Sequence, residues 1–211
     1  GVPRMLDVFK QENIKATFFF SMGTDKSSKA IRRIFRKGFL TKMLRTKAPS
    51  TYGFKTMMYG TLLPAPHIVE PNPMPFLRAI KENHECGIQC WEHVYWQEKL
   101  PFLSEDTKIE ELTKAINLFE KIAGFKAKAC AAPGWQVTPR SLKVQQELGF
   151  DYCSDVRGYY PFYPIMNDKK YLPLQIPGTL LTMDDCLGSS LDNKLITEEN
   201  INVYWFSHCD L

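Results

Sequence analysis

The sequence predicts an α/β fold with a mostly parallel sheet, either open or closed into a barrel. Short apolar runs typical of buried strands alternate along the chain with longer segments of helical periodicity. At 211 residues and 44% hydrophobic content, the chain is long enough to bury one substantial core. We therefore expect a single domain over residues 1–211. Because no apolar run reaches the length of a membrane span, we expect a soluble or peripherally attached protein.

Two helix–strand pairs are predicted in the first half of the chain. Pro3 suits the first turn of a helix that ends near Asn13, and Ala16 to Phe20 is typical of a buried strand. The segment from Pro73 to Asn83 predicts the next helix, and Cys86 to Cys90 the next strand. This alternation indicates parallel strand pairing.

Two helices with clear end signals follow. One begins after Ser104 as N-cap, carries acids in its first turn and ends at Gly124. Thr138 and Pro139 open the other, which Gly149 closes. Four further short strands are predicted: Ala127 to Ala132, Tyr152 to Ser154, Leu172 to Ile176 and Val203 to Ser207.

A basic insertion at about residues 25–60 interrupts this alternation. The segment from Lys26 to Lys47 contains nine cations and no acid, with apolar residues at helical spacing between them. This pattern favours an amphipathic helix on an anionic membrane surface, and the alternative is an ordinary helix packed on the core. Nucleic acid is not expected, because stacking aromatics are missing from the pattern. The candidate membrane contacts are Arg32, Arg33, Phe35, Arg36 and Phe39.

The strongest candidate for a metal site is the segment from Gly87 to His93. His93 is a good zinc ligand at the end of a predicted strand. Gln89 lies four residues earlier, where a second histidine would complete a site, and its neutral amide is a poor donor to zinc. Trp91, between them, is a candidate for substrate contact.

Further polar and aromatic candidates follow other predicted strands. Asp155 and Arg157 offer a carboxylate and a guanidinium two residues apart, which could orient a metal-site group, clamp an anion or form only a surface ion pair. His208 follows the last predicted strand, where a histidine can donate a proton to a leaving amine. The remaining candidates for substrate binding are Pro133, Gly134, Trp135 and Asp184.

Together these motifs resemble the polysaccharide deacetylase superfamily and, within it, the formamido-arabinose-phosphoundecaprenol deformylases. The superfamily resemblance lies in Ala16 to Gly23, His84 to His93 and the terminal segment with His208. The resemblance to the deformylases lies in four segments: Trp91 to Gln97, Ala131 to Trp135, Ser154 to Gly158, and Ile176 to Asp185.

This resemblance implies a distorted (β/α) barrel, here lacking its first strand, and hydrolysis of an N-formyl or N-acetyl group from a lipid-linked aminosugar. It also implies a divalent metal, zinc or similar, held by one aspartate and two histidines. His93 matches the second metal histidine, His208 the general acid, and Asp155 with Arg157 an orienting polar pair. Gln89 stands at the first metal histidine. The implied location is cytoplasmic, peripheral to the inner membrane.

The departures from the family pattern leave a second interpretation open. Besides Gln89, the aspartate pair of the family is expected before Gly1. A catalytically impaired homologue that binds a carbohydrate or lipid is therefore the alternative to an active deformylase.

Overall fold

The computed structural model describes residues 1–26, 62–188, 190–191, 194–197 and 199–206. The chain divides into two compact units, one of Gly1–Lys26 with Ala65–Gly178 and one of Ser27–Pro64 with Thr179–Leu211. The single domain expected from the sequence stays a prediction. The five candidate membrane contacts lie outside the described residues, and so does His208.

A parallel sheet forms the centre of the first unit. Its five strands lie in the order β1-β2-β3-β4-β7, and every neighbouring pair is parallel. This confirms the predicted fold class, and β1 and β7 are the edges of an open sheet within the described residues. The strands of this unit are β1 Thr17–Ser21, β2 Glu85–Cys90, β3 Ala129–Cys130, β4 Tyr152–Cys153, β5 Ile165–Met166, β6 Lys169–Lys170 and β7 Leu174–Gln175.

Helices connect the strands as predicted. Ser104 caps the longest helix by accepting a hydrogen bond from Thr107 N at 3.1 Å, and Gly124 ends it with φ of 81°. Thr138 caps another through a reciprocal capping box with Ser141. The helices are α1 Val2–Gln11, α2 Met74–Lys81, α3 His93–Lys99, α4 Glu105–Ala123 and α5 Pro139–Leu148, with 3₁₀ turns at Leu100–Phe102 and Pro133–Trp135.

Aromatic rings pack against one another within the mostly aliphatic core of this unit. The ring of Phe76 lies 4.9 Å from those of Phe20 and Phe119, measured between centroids. The five described cysteines are buried and unbridged, as expected for core thiols: Cys86, Cys90, Cys130, Cys153 and Cys186. Burial raises the pKa of the Cys86 thiol to about 12. These thiols are therefore inert packing groups rather than nucleophiles.

The second unit corrects one sequence prediction. It contains α6 Met183–Cys186, the antiparallel pair β8 Ser190–Leu191 and β9 Lys194–Leu195, and α7 Ile201–Phe206. The predicted terminal strand Val203 to Ser207 is therefore wrong, because residues 201–206 are helical. A turn starts this helix: Thr197 N donates to Asn200 Oδ1 at 2.8 Å, and Ile201 N to Thr197 O at 3.0 Å.

None of the helices in the described ranges combines the length and the apolar composition that a bilayer span requires.

Candidate active site

Three strand-end segments of the first unit converge at the carboxyl edge of the sheet. Trp91–His93 follows β2, Pro133–Trp135 follows β3, and Asp155–Arg157 follows β4. Helix α3 packs against the Pro133–Trp135 turn. The carboxyl edge of a parallel sheet is where such folds bind ligands. The structure thus brings together most of the candidates that the sequence indicates.

His93 is held by a short hydrogen-bond chain that begins on β1. Ser21 Oγ donates to Gln89 Oε1 at 2.7 Å, and His93 Nδ1 lies 3.1 Å from the same oxygen. Because Oε1 only accepts, Nδ1 is the protonated nitrogen, and the neutral ring then carries its lone pair on Nε2. This lone pair can accept a proton or bind a metal.

The donors in the described residues do not complete the metal site implied by the resemblance. Zinc sites use at least three protein ligands, drawn from histidine, cysteine and carboxylates. Within residues 1–26, 62–188 and the short later stretches, no group of three such side chains is placed to hold an ion. Here His93 is paired with an amide, and Gln89 Oε1 already accepts two hydrogen bonds.

A buried carboxylate beside His93 was not singled out from the sequence. Glu92 is 7% exposed, and one of its oxygens forms an ion pair with Lys26 Nζ. Its other oxygen, Oε1, is buried and has no hydrogen-bond partner among the described residues. Nearby, burial raises the pKa of Glu111. Glu92 could have been noticed because it adjoins His93, and Ser21 because it directly follows the predicted strand Ala16 to Phe20.

Asp155 is completely buried and fully hydrogen-bonded. It accepts bonds from Ala132 N at 2.8 Å, Gln145 Nε2 at 2.9 Å and Gln175 Nε2 at 3.1 Å. Burial raises its pKa to about 6, although these three donors act in the opposite direction. The geometry makes Asp155 a positioning residue that links the ends of β3, β4 and β7, and a catalytic role stays a prediction.

Arg157 and Trp135 form a stacked pair beside this network. The Arg157 guanidinium carbon lies 4.0 Å from the centroid of the Trp135 ring. Arg157 is exposed, so its charge faces solvent while its plane rests on the ring. Backbone pairing with Gly178 fixes the loop that carries it. The pair can bind an anionic group next to a flat apolar surface.

Close backbone contacts fix the two turns that bear the aromatic candidates. A Cβ on Gly134, whose φ is 61°, would lie 2.2 Å from Gln97 Nε2, so the turn and α3 are in direct contact. A Cβ on Gly23 would lie 2.4 Å from the carbonyl oxygen of Trp91. Pro133 is buried within the first of these turns.

Asp184 belongs to the second unit. It lies within α6, and its side chain is not described. Its role in substrate binding stays a prediction, as does the role of His208.

An apolar cavity of about 130 Å³ is lined in part by Val156 and by strand β5. Among its described lining residues, Gln175 is the one with a polar side chain, and it already donates to Asp155. A sugar needs several hydrogen-bond partners, so this cavity does not suit one. The lining residues are Val137, Leu142, Val156, Phe162, Pro164, Ile165, Met166 and Gln175.

The chain matches no family model. It is 35% identical over 213 residues to a proposed 4-deoxy-4-formamido-L-arabinose-phosphoundecaprenol deformylase, ArnD, of Shewanella sediminis (strain HAW-EB3). This match covers 97% of this chain and 68% of that protein. It is 31% identical over 214 residues to the protein of the same description from Wigglesworthia glossinidia brevipalpis, with 97% and 74% covered.

The fold also has a match among solved structures. A proposed polysaccharide deacetylase from Mycobacterium smegmatis superposes with a TM-score of 0.59 at 19% identity. The match covers 99% of this chain and 58% of that one. This likeness shows a common fold, and the two curated relatives show the family. The chain belongs to the family of 4-deoxy-4-formamido-L-arabinose-phosphoundecaprenol deformylases.

Proposed function

We propose that this chain is the hydrolytic part of an enzyme that removes a formyl group from an aminosugar carried on a polyprenyl phosphate. The observation that carries the proposal is that His93, Trp135 and Arg157 follow three neighbouring strands at one edge of the sheet, in a chain of the deformylase family.

Each group in this cluster suits one part of such a substrate. The Arg157 guanidinium binds the phosphate of the lipid carrier, and the Trp135 ring packs against the apolar face of the sugar. Trp91 is a second aromatic candidate, although its ring is partly buried against the core beside Gly23. Binding at these points holds the formamide near His93, and such positioning lowers the barrier by reducing the entropy cost of reaction.

The reaction breaks the carbon–nitrogen bond of the formamide. The lone pair on His93 Nε2 accepts a proton from water, and the water oxygen bonds to the formyl carbon. The amine nitrogen takes a proton as it leaves, and formate is the second product. His208 matches the family's proton donor for this step and stays a prediction.

Formate release tests the proposal. The intact protein, with and without added zinc or manganese, is mixed with a detergent-dispersed polyprenyl-phosphate aminosugar bearing an N-formyl group, or an N-acetyl group for comparison. We expect formate from the first substrate, and an Arg157→Ala variant with a raised KM for it. No formate under any metal condition would contradict the proposal.

One observation favours a second candidate, a binding module without catalytic activity. Gln89 offers a neutral amide that is already engaged by Ser21 and His93, so the site resembles a binding pocket more than a metal centre. If so, Gln89→His should raise zinc affinity at least tenfold in the intact protein, while Gln11→His on exposed α1 should not. Loss of sugar binding in His93→Ala would contradict the binding-module hypothesis.

We also propose attachment to the cytoplasmic face of the inner membrane through the basic segment from Lys26 to Lys47. A polyprenyl-linked substrate is a membrane component, and nine cations without an acid suit an anionic surface. The protein should sediment with phosphatidylglycerol vesicles and be released as salt rises, because salt screens the attraction. Binding that ignores both lipid charge and salt would contradict this attachment.

A further inference from the structure

We propose that a second, separate surface docks onto an anionic lipid bilayer: the exposed segment from Tyr159 to Tyr163 together with the hairpin β5–β6. This aromatic–lysine surface begins two residues after Arg157 in the chain. It lies outside the basic segment and does not depend on the proposed hydrolysis.

The segment exposes several large apolar side chains that lie close together in the sequence. Tyr159 and Tyr160 are each 81% exposed, and Ile165 is 70% exposed. Phe162 and Tyr163 are also exposed, at 40% and 44%. A continuous run of exposed rings is unusual on a surface without a partner, since apolar patches of this kind mark interaction sites.

Backbone hydrogen bonds hold this surface in place. Phe162 and Gln175 exchange two bonds, of 3.0 and 2.8 Å, which attach the segment to edge strand β7. The hairpin turn places Asn167 and Asp168 at φ of 51° and 59°, as a type I′ turn requires. Tyr171 N donates to Pro164 O at 2.9 Å at the base of the hairpin. The exposed rings are therefore displayed on a fixed support.

The charges around the rings suit anionic headgroups. Lys170 Nζ lies 4.3 Å from the centroid of the Tyr163 ring, and Lys169 Nζ lies 5.3 Å from that of Tyr171. Asp168, in the turn, is the one acid between Arg157 and Lys170, which leaves an excess of positive charge. Tyrosine and lysine side chains are favoured at membrane interfaces, where the ring enters the headgroup layer and the ammonium stays hydrated.

Aliphatic neighbours favour a lipid surface over a sugar polymer. Ile165, Leu172 at 49% and Ile176 at 40% exposure flank the aromatic residues, and such side chains gain more from an acyl boundary than from a sugar face. A bound lipid surface here would lie beside Arg157, where the proposed substrate phosphate binds.

Vesicle sedimentation of the intact protein tests the surface. Vesicles of phosphatidylcholine with phosphatidylglycerol are compared with phosphatidylcholine alone. We expect Tyr159→Ser with Tyr160→Ser to weaken binding to the anionic vesicles about tenfold or more, because two interfacial rings are lost. Phe102→Ser, which changes an 83% exposed ring elsewhere in the same unit, is the matched control and should bind like the wild type.

A charge variant provides the second arm. Lys169→Glu with Lys170→Glu should also reduce binding to the anionic vesicles, whereas Lys126→Glu with Lys128→Glu should reduce it less. Two results would overturn the proposal: unchanged vesicle binding in the tyrosine variant, or an equal loss of vesicle binding in Phe102→Ser. Sedimentation with an insoluble polysaccharide gives the third: the proposal fails if the tyrosine variant loses polysaccharide binding and keeps its vesicle binding.

The outcome is separable from that of the proposed hydrolysis. Formate release from detergent-dispersed substrate should be the same in the tyrosine variant and the wild type, because the rings do not contact the reacting groups. If no variant releases formate, the hydrolysis proposal fails while vesicle binding still decides this one.

Discussion

The strand-end segments after β4 and β2 each bury a carboxylate, but they satisfy it differently. Asp155, after β4, accepts hydrogen bonds from a backbone amide and two glutamine amides. Glu92, after β2, pairs one oxygen with Lys26 and leaves the other without a partner in the described part of the chain. The hydrogen bonds to Asp155 therefore offset part of the cost of burying its charge, whereas one oxygen of Glu92 is buried without any such bond from the described residues.

This difference indicates a division of labour at the sheet edge. The neutral amides around Asp155 hold three strand ends in a fixed arrangement. Arg157 and Trp135 stack on each other beside it. The segment after β2 instead keeps an imperfectly paired charge next to His93. Folded proteins retain such groups most often where function needs them. Under the proposed function, the β4 side would supply position and the β2 side the reactive group.

The largest expected effect is on stability when the Asp155 network is broken. Asp155→Ala leaves three buried donors without an acceptor, and we expect a loss of about 4 kcal/mol in the free energy of unfolding. Asp151→Ala, whose exposed carboxylate only faces Lys128 at 3.8 Å, should change it by less than about 0.5 kcal/mol. Urea unfolding measures both, and equal effects would contradict the comparison.

The pH dependence of the free energy of unfolding sharpens the comparison between Asp155 and Glu92. Because the folded pKa of Asp155 is raised from 3.8 to about 6, the folded state binds a proton more readily than the unfolded chain. The contribution of Asp155 to stability should therefore fall as pH rises through this window, by up to about 3 kcal/mol, and stay constant above it.

Urea unfolding of the wild type and Asp155→Asn over this pH range isolates that contribution. The asparagine variant should lack it, while Glu111 and the other acids titrate alike in both proteins. Parallel stability curves for the two proteins would show that Asp155 does not titrate here.

A smaller effect is expected at Glu92. Lys26→Met removes the ammonium from a carboxylate whose side chain is 9% exposed, and should cost about 2 kcal/mol, since Lys26 itself is partly hydrated. Glu92→Gln should be neutral or stabilising, and the double variant should recover most of the loss. A large loss of stability in Glu92→Gln would contradict the comparison, because it would mean that the Glu92 carboxylate stabilises the fold as the Asp155 carboxylate does.

The smallest expected effect is the difference in stability between two glycine substitutions, one of them in the turn that carries Trp135. Gly134→Ala must tolerate both a positive φ and a contact with Gln97, and should cost about 2 kcal/mol. Gly149→Ala has a similar φ of 74° and open space around it, so it should cost only about 1 kcal/mol. Thermal unfolding of the two variants gives the cost of displacing Gln97, and identical shifts would mean that Gln97 moves freely.

The sequence predicts those parts of the fold that depend on local signals. The helix from Ser104 to Gly124 is correctly bounded because its cap, acids, apolar spacing and glycine all agree. The strands of the parallel sheet are placed by short apolar runs between helices. The segment from Val203 is assigned wrongly because a short apolar run fits a helix as well as a strand. The turn at Thr197 starts a helix here.

The site is less predictable because its contacts join distant parts of the chain. Asp155 and Arg157 are visible as a pair, but the bonds from Gln145 and Gln175 to Asp155 come from ten and twenty residues away. The partner of Glu92 lies 66 residues earlier. Tertiary packing alone brings these groups together, so spacing in the sequence gives no indication of them.

The division of labour between the β2 and β4 sides is tested most directly by formate release from His93→Ala and Asp155→Asn. Each variant is assayed under conditions in which it is folded. The account predicts that His93→Ala loses activity at least about a hundredfold with unchanged stability, while Asp155→Asn loses stability and keeps most of its kcat. Lys99→Ala on the same helix should match the wild type. Formate release by His93→Ala at the wild-type rate would contradict the account.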